Sequence, residues 1–470
     1  MIELAPTLAL VGAVIVIAAL LSGVVDRTGV PQVAIFLALG AALGPAGVGA
    51  LHVELESDVL RVVATLSLAL ILFTDALSLD LRDAREHRKL ALLALGPGTL
   101  LSAALYAWLA VWLLGISLPA AAILGAAVAS TDPVLLKGLL RRRDLPPAAR
   151  QALRLESGLN DVVLLPVVLV AMAFLGAGER PDGEGFARLG LDLFLLGPGA
   201  GVAVGLVSLG TLEMVRRRVG VRRDYESLYS LGVAFAAYAA AESVHGSGFL
   251  AAFAAGLTIA AFDVELCDCF REYGETTAEL ALLLTFVLLG SSLIWTGVGT
   301  ASPGALAFAV LVLLGRPLVY YAALAGSGVD ARSRHLVAWF GPRGLSSLLL
   351  VLLPVFAGTP GSDGLFRVTC LVVLLSVLLH GGALAWIARR REPEPEATEP
   401  GSVLIRMEEL AALRAAGEQV VVADVRSEAD WERRGEEPAP GVVRLSPDRP
   451  VEHAGALGLP PDAWLVLYCT

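Results

Sequence analysis

Thirteen apolar runs of 17 to 26 residues, parted by short polar joins, fill the first 390 positions: about 8–25, 31–51, 60–77, 90–115, 119–138, 153–176, 189–214, 227–244, 247–263, 276–295, 304–325, 334–356 and 365–388. A hydrocarbon core about 30 Å thick is crossed by about 20 apolar residues in helix, so each run predicts one transmembrane span. The tightest join is Glu242–Gly248, between spans eight and nine. The first run lacks a basic leader and a small-residue cleavage site, which predicts a retained span rather than a cleaved signal. Past residue 400 the pattern changes. A helical stretch near 405–417, an apolar strand Val420–Val425 and a strand Trp464–Tyr468 predict a small, partial α/β appendage.

The loops orient the spans. Basic clusters follow spans three (Arg82, Arg85, Arg88, Lys89), five (Arg141, Arg142, Arg143, Arg150), seven (Arg216, Arg217, Arg218, Arg222, Arg223), eleven (Arg332, Arg334) and thirteen (Arg389, Arg390, Arg391). Loops after even-numbered spans are acidic (Glu54, Glu56, Asp58) or nearly uncharged. Short loops rich in Lys and Arg stay cytoplasmic. The alternation therefore predicts an all-α polytopic protein of the cell (inner) membrane, N-terminus outside and C-terminus cytoplasmic.

Composition agrees: 56% of residues are hydrophobic and only 17% charged, against about 25% charged in soluble chains. The net charge of −10 is not spread evenly. From Glu392 onward, 16 Asp/Glu face 7 Arg, a balance of −9, so the preceding residues are nearly neutral. Neither part has the basic excess of a nucleic-acid binder. Three segments are expected: a membrane domain over 1–390, a stiff acidic Pro/Glu linker over 391–401 and a cytoplasmic piece over 402–470. The four cysteines (Cys267, Cys269, Cys370, Cys469) form no disulfide framework. Cys267 and Cys269 are too few for a closed zinc site and read as incidental thiols. No phosphate-binding loop of an ATP-driven pump occurs, and no cofactor is expected.

Charges inside spans are costly and mark function. Span five contains Ser130-Thr131-Asp132-Pro133. The proline removes a donor and pushes Asp132 out of helical geometry, so the helix should open there onto a polar cavity. Span six carries Glu156, Ser157, Asn160 and Asp161, paired at i,i+4 on one broad face. Such hard oxygens suit an alkali cation or a proton. Span twelve is interrupted at Gly341-Pro342-Arg343-Gly344, and Arg343 requires an acidic partner, with Glu156 and Asp132 the candidates. Asp75 in span three and Arg316 before Pro317 in span eleven are further intramembrane charges. The two broken spans are seven apart. Two six-span repeats separated by one extra span would then be inverted, with crossed broken helices marking the binding site.

These motifs, in this order, resemble the monovalent cation:proton antiporter family of NhaP and sodium/proton exchanger type. Val30-Pro31-Gln32, Gly40, Gly44-Pro45, Leu72-Phe73-Thr74-Asp75, Thr131-Asp132-Pro133, Glu156-Ser157, Asn160-Asp161, Ser247-Gly248 and Gly341-Pro342-Arg343-Gly344 carry the resemblance across about 8–390. It implies that Asp161 binds cation and proton alternately and that Thr131, Asp132 and Ser157 line the site. It implies that Asn160 orients Asp132 or the broken helix and that Glu156 pairs with Arg343. It also implies a homodimer whose six-helix core moves against a dimerisation domain. Electrogenic relatives have aspartate at the Asn160 position, so exchange should be electroneutral, Na⁺ (or Li⁺ or K⁺) against H⁺. The alternatives are K⁺/H⁺ efflux and, in another class, a cation channel.

The tail resembles the start of a rhodanese domain through Val422-Ala423-Asp424-Val425-Arg426, Asp430-Trp431, Pro440-Gly441-Val442 and Tyr468-Cys469. In that family a strand-end cysteine opens a persulfide-cradling loop. Here one residue follows Cys469, so sulfurtransferase activity is not expected and the chain reads as a transporter, not an enzyme.

Overall fold

The computed structural model describes residues 32–79, 88–140, 145–176, 183–218, 223–262, 268–383, 413–425, 442–445 and 463–468, with a few isolated positions besides. The predicted first span, the linker, Cys267 and Cys469 lie outside these residues. The chain divides into two compact units, Met1–Arg390 and Arg391–Thr470.

Every predicted span from the second to the thirteenth coincides with helix in the first unit. Eight helical stretches among the described residues are long and apolar enough to cross a membrane, and Gln32–Leu43, Gly248–Ala261 and Leu345–Phe356 are shorter apolar helices. Several spans are not continuous α-helix. Span four runs as Arg88–Leu93, a π-helical turn Ala94–Leu100 around Pro97, and Leu101–Leu114. Span thirteen passes from Ser362–Ser376 into a π-helical turn, Val377–Gly381.

The tight join forms as expected. Helix Arg223–Ser243 ends, His245 takes a left-handed φ of 62°, and helix Gly248–Ala261 begins. The Glu242 side chain accepts a hydrogen bond from the Gly248 N–H at 3.0 Å, satisfying one of the donors every helix start leaves unpaired.

Two spans are interrupted in mid-course, as the proline motifs predict. Span five divides into Leu118–Ala129 and Pro133–Leu140, and span twelve into Ala331–Trp339 and Leu345–Phe356. Helix Pro147–Gly176 packs against Leu118–Ala129 and Leu345–Phe356, which brings span six to both breaks. Alanine dominates Leu118–Ala129, and such small residues let helix backbones approach closely where lipid gives no hydrophobic drive.

The second unit holds a three-stranded parallel sheet, β1 (Val420–Asp424), β2 (Val442–Arg444) and β3 (Trp464–Tyr468), in the order β2-β1-β3. Two of these strands match the expectation. β2 forms where Pro440-Gly441-Val442 gave no strand signal of its own. Asp424 ends β1 fully buried, with Arg444 from β2 at 3.9 Å.

Candidate ion site at the crossing of two broken helices

The breaks at 130–132 and 340–344 meet and hydrogen-bond through their backbones. The Asp132 N–H donates to the Pro342 carbonyl at 2.9 Å. The Asp132 carboxylate then joins the half-helices. Its Oδ1 accepts from the Val134 N–H at 2.8 Å, in the first turn of Pro133–Leu140, and its Oδ2 accepts from the Leu345 N–H at 2.7 Å, at the start of Leu345–Phe356. One anion thus caps two helix N-termini, where the macrodipole favours negative charge. Both oxygens of Asp132 are engaged this way. The resemblance expected it to line an ion pocket; the structure gives it a capping position.

Arg343 does the complementary work. Its guanidinium donates to the carbonyls of Ala129 (2.6 Å) and Ser130 (3.0 Å), at the C-terminus of Leu118–Ala129, and to the Tyr106 hydroxyl (3.2 Å). A cation at a helix C-terminus offsets the negative dipole end there. The Arg343 N–H donates to Ser376 Oγ at 2.7 Å, and Ser376 is hydrogen-bonded to His380.

The expected Glu156–Arg343 pair is therefore not what forms. Glu156 takes Arg316 in a two-pronged pair, Nη1 to Oε1 at 3.0 Å and Nη2 to Oε2 at 2.9 Å. The physical reason is the supply of acceptors. The open end of Leu118–Ala129 offers Arg343 two carbonyls, while Arg316, from helix Pro303–Ala323, meets Glu156 and donates besides to the Val337 carbonyl at 3.2 Å. Tyr320, one turn on, donates to Glu156 Oε1 at 3.1 Å and places its ring 3.9 Å from the Arg316 guanidinium carbon.

The Gly-Pro-Arg-Gly motif follows from these contacts. A side chain at Gly341 would collide with the Arg316 guanidinium, and one at Gly344 with the Asp132 carboxylate. Pro342 supplies the carbonyl that Asp132 meets, and Arg343 reaches across the break.

Thr131 and Asn160 connect the break to span six. Thr131 Oγ1 donates to Glu156 Oε1 at 3.0 Å, so it receives rather than gives the bond from Asn160 Nδ2 at 2.6 Å. That chain fixes the amide's orientation, with Nδ2 also 3.4 Å from the Thr131 carbonyl. Asn160 holds the broken helix, not Asp132. Its Oδ1 is buried with no hydrogen-bond partner among the described residues.

Asp161 lies beside this network, 3% exposed. Ser130 Oγ donates to its Oδ1 at 2.5 Å, and the Ser346 side chain lies near the same carboxylate. The acids Asp132 and Glu156 stand close enough to act on its charge. Of the three buried acids, Glu156 has a guanidinium and Asp132 has two helix N-termini. Among the described residues no basic side chain pairs with Asp161. Ser157 is buried a turn earlier, its hydroxyl on the Arg154 carbonyl at 3.5 Å. Asp75 is half-buried at the end of helix Asp58–Leu77, near Ser78, whose hydroxyl donates to Glu275 at 2.6 Å.

The residues that motif reading missed are Ser130, Ser346, Tyr106, Tyr320 and Ser376. Ser346-Ser347 after the second break does mirror Ser130-Thr131 in the first, which was the available signal.

A buried acid without a basic partner among the described residues, beside two crossed, dipole-compensated broken helices, fits a secondary transporter for a small cation. The sequence model described as "Sodium/hydrogen exchanger, transmembrane" matches residues 13–390, and the chain belongs to that family as a cation/proton antiporter of NhaP type. It is similar to a protein named K(+)/H(+) antiporter NhaP2 from Shewanella sp. (strain MR-4), 29% identical over 398 residues, covering 82% of this chain and 67% of that protein. A protein named K(+)/H(+) antiporter NhaP from Alkalimonas amylolytica is 24% identical over 410 residues, 84% of this chain and 69% of that one. Among solved structures, the sodium proton antiporter MjNhaP1 from Methanocaldococcus jannaschii shares the fold with a TM-score of 0.67, at 20% identity, covering 83% of this chain and 99% of its own.

Proposed function

We propose that the chain exchanges one sodium ion for one proton, with Asp161 holding the two in alternation. The observation that carries this reading is that Asp161, unlike Glu156 with its guanidinium and Asp132 with its two helix N-termini, has neither against it among the described residues. A transported cation is the charge that would complete it. Asn160 Oδ1, unpartnered among the described residues, and the Ser157 hydroxyl are hard donors near enough in sequence to contribute to a coordination shell. One carboxylate cannot hold a proton and ligate a cation together. With one such group, one positive charge moves each way and the cycle is electroneutral.

Alternating access would come from movement of the helices around the crossing against the remaining spans, in a homodimer with the C-terminal unit in the cytoplasm. A potassium-selective cycle is the second reading, favoured by the names of the Shewanella and Alkalimonas relatives. The test is a proteoliposome assay with an interior pH dye, adding sodium, lithium and potassium in turn. Saturable proton flux with sodium, insensitive to a clamped membrane potential and absent in Asp161→Asn, supports the proposal. Flux confined to potassium supports the second reading, and flux that never saturates indicates a channel.

A further inference from the structure

Helix Pro147–Gly176 carries a basic residue onto the face that bears the ion site. At about 100° and 1.5 Å per residue, Arg154 lies about 20° around the helix from Asp161 and about 10 Å nearer its N-terminal end. Gly158 sits between them, one turn from each, and a methyl group placed on it would meet nothing within 4 Å. Gly158, between them, therefore borders open space, while Ser157 and Asp161 are buried. Arg154 is exposed, and among the described residues its side chain has no hydrogen bond or ion pair. The helices packed against this one carry Asp75 (Asp58–Leu77), Lys89 (Arg88–Leu93), and Arg332 and Arg334 (Ala331–Trp339), and Arg150 lies on the same helix. Glu156 and Asp132 are already compensated by Arg316 and the helix N-termini.

We propose that Arg154 is a fixed positive charge at the mouth of the ion passage that weakens capture of every transported monovalent cation by one common factor. The inference rests on the single-site antiport reading above. A charge two helical turns away acts on the net charge of the ion and not on its radius or hydration. It therefore changes apparent affinity and leaves selectivity alone. At about 10–12 Å, in an effective dielectric between about 20 and 80, the factor lies between about two and about 16.

The test uses the full-length protein in vesicles of zwitterionic lipid, following proton flux driven by sodium and by lithium. Wild type, Arg154→Lys, Arg154→Gln and Arg154→Glu are compared at ionic strengths of about 0.01 M and about 0.15 M, adjusted with choline chloride, where the screening length falls from about 30 Å to about 8 Å. Arg154→Gln should lower KM for both cations by the same factor at low ionic strength, and Arg154→Glu by more. Arg154→Lys should keep the wild-type KM, kcat should change little across the series, and added salt should shrink the differences. An unchanged KM in Arg154→Gln, effects that differ between sodium and lithium, effects that persist in high salt, or a Lys variant behaving like Gln would each overturn it. Wild type without cation-driven flux would instead defeat the antiport reading. Wild-type flux lost in Asp161→Asn, with Arg154→Gln unmoved, would defeat only this inference.

Discussion

Glu156 and Arg316 stand 160 positions apart in the chain and meet as a two-pronged ion pair, with side chains 0% and 2% exposed. Thr131 and Tyr320 add hydroxyl donors to the same carboxylate oxygen. Removing one partner of a buried pair strands the other charge and costs about 3–5 kcal/mol, whereas replacing both with apolar residues of similar size is often neutral. Glu156→Gln and Arg316→Met should each lower the melting temperature in detergent markedly. The double variant Glu156→Leu/Arg316→Met should recover much of the loss. Additive destabilisation in the double variant would show that the pair contributes net stability.

The Asp132 carboxylate and Gly344 occupy one crowded spot, so their variants should fail for different reasons. Asp132→Ala removes caps from two helix starts, each worth about 0.5–2 kcal/mol, along with the charge that both dipoles favour. Asp132→Asn keeps one carbonyl oxygen and should retain part of the stability and exchange. Gly344→Ala drives a methyl group into the carboxylate and should be worse than Asp132→Asn. Thermal melts paired with vesicle flux would rank the three, and a fully active Gly344→Ala protein would contradict the close approach.

Asn160→Asp tests whether a second acid at this position simply adds a charge to the cycle. Thr131 has one hydroxyl proton, now given to Glu156. An aspartate cannot donate as the amide does, so one of the two bonds must be lost, at about 1–3 kcal/mol for the stranded group. The variant should melt lower and exchange more slowly, without gaining sensitivity to membrane potential. Robust, potential-driven exchange would show that the network rearranges at little cost.

Ser130 donates to Asp161 from one break, and Ser346 lies near the same carboxylate from the other. A hydrogen bond to a charged group contributes about 1.5–3 kcal/mol. Ser130→Ala should raise KM for sodium by more than tenfold, and Ser346→Ala should act in the same direction. The double variant should depart from additivity because both serve one carboxylate. Titrating sodium against proton flux in each variant measures the effect.

The spans from the second to the thirteenth were legible because hydrophobic length is a local property, read directly from consecutive residues. The two breaks were legible as well. Asp132-Pro133 and Gly341-Pro342 act on their own backbone, and proline cannot donate wherever it sits. The candidate acids stood out because any charge inside an apolar run is conspicuous. The tail's β2 was harder to see, since three residues ahead of a polar stretch hold too little pattern to separate strand from loop.

By itself, then, the sequence determined the membrane class, the order of helices, the two interruptions and the set of buried charges. Which charges meet was decided only in three dimensions. Arg343 and Arg316 are both buried arginines beside a proline, and both could have served Glu156. Helical spacing says which residues share a face, but not which helices are neighbours. The crossing settled it by presenting open carbonyls to Arg343 and open N–H groups to Asp132. That left Arg316 for Glu156 and left Asp161 without a basic partner among the described residues.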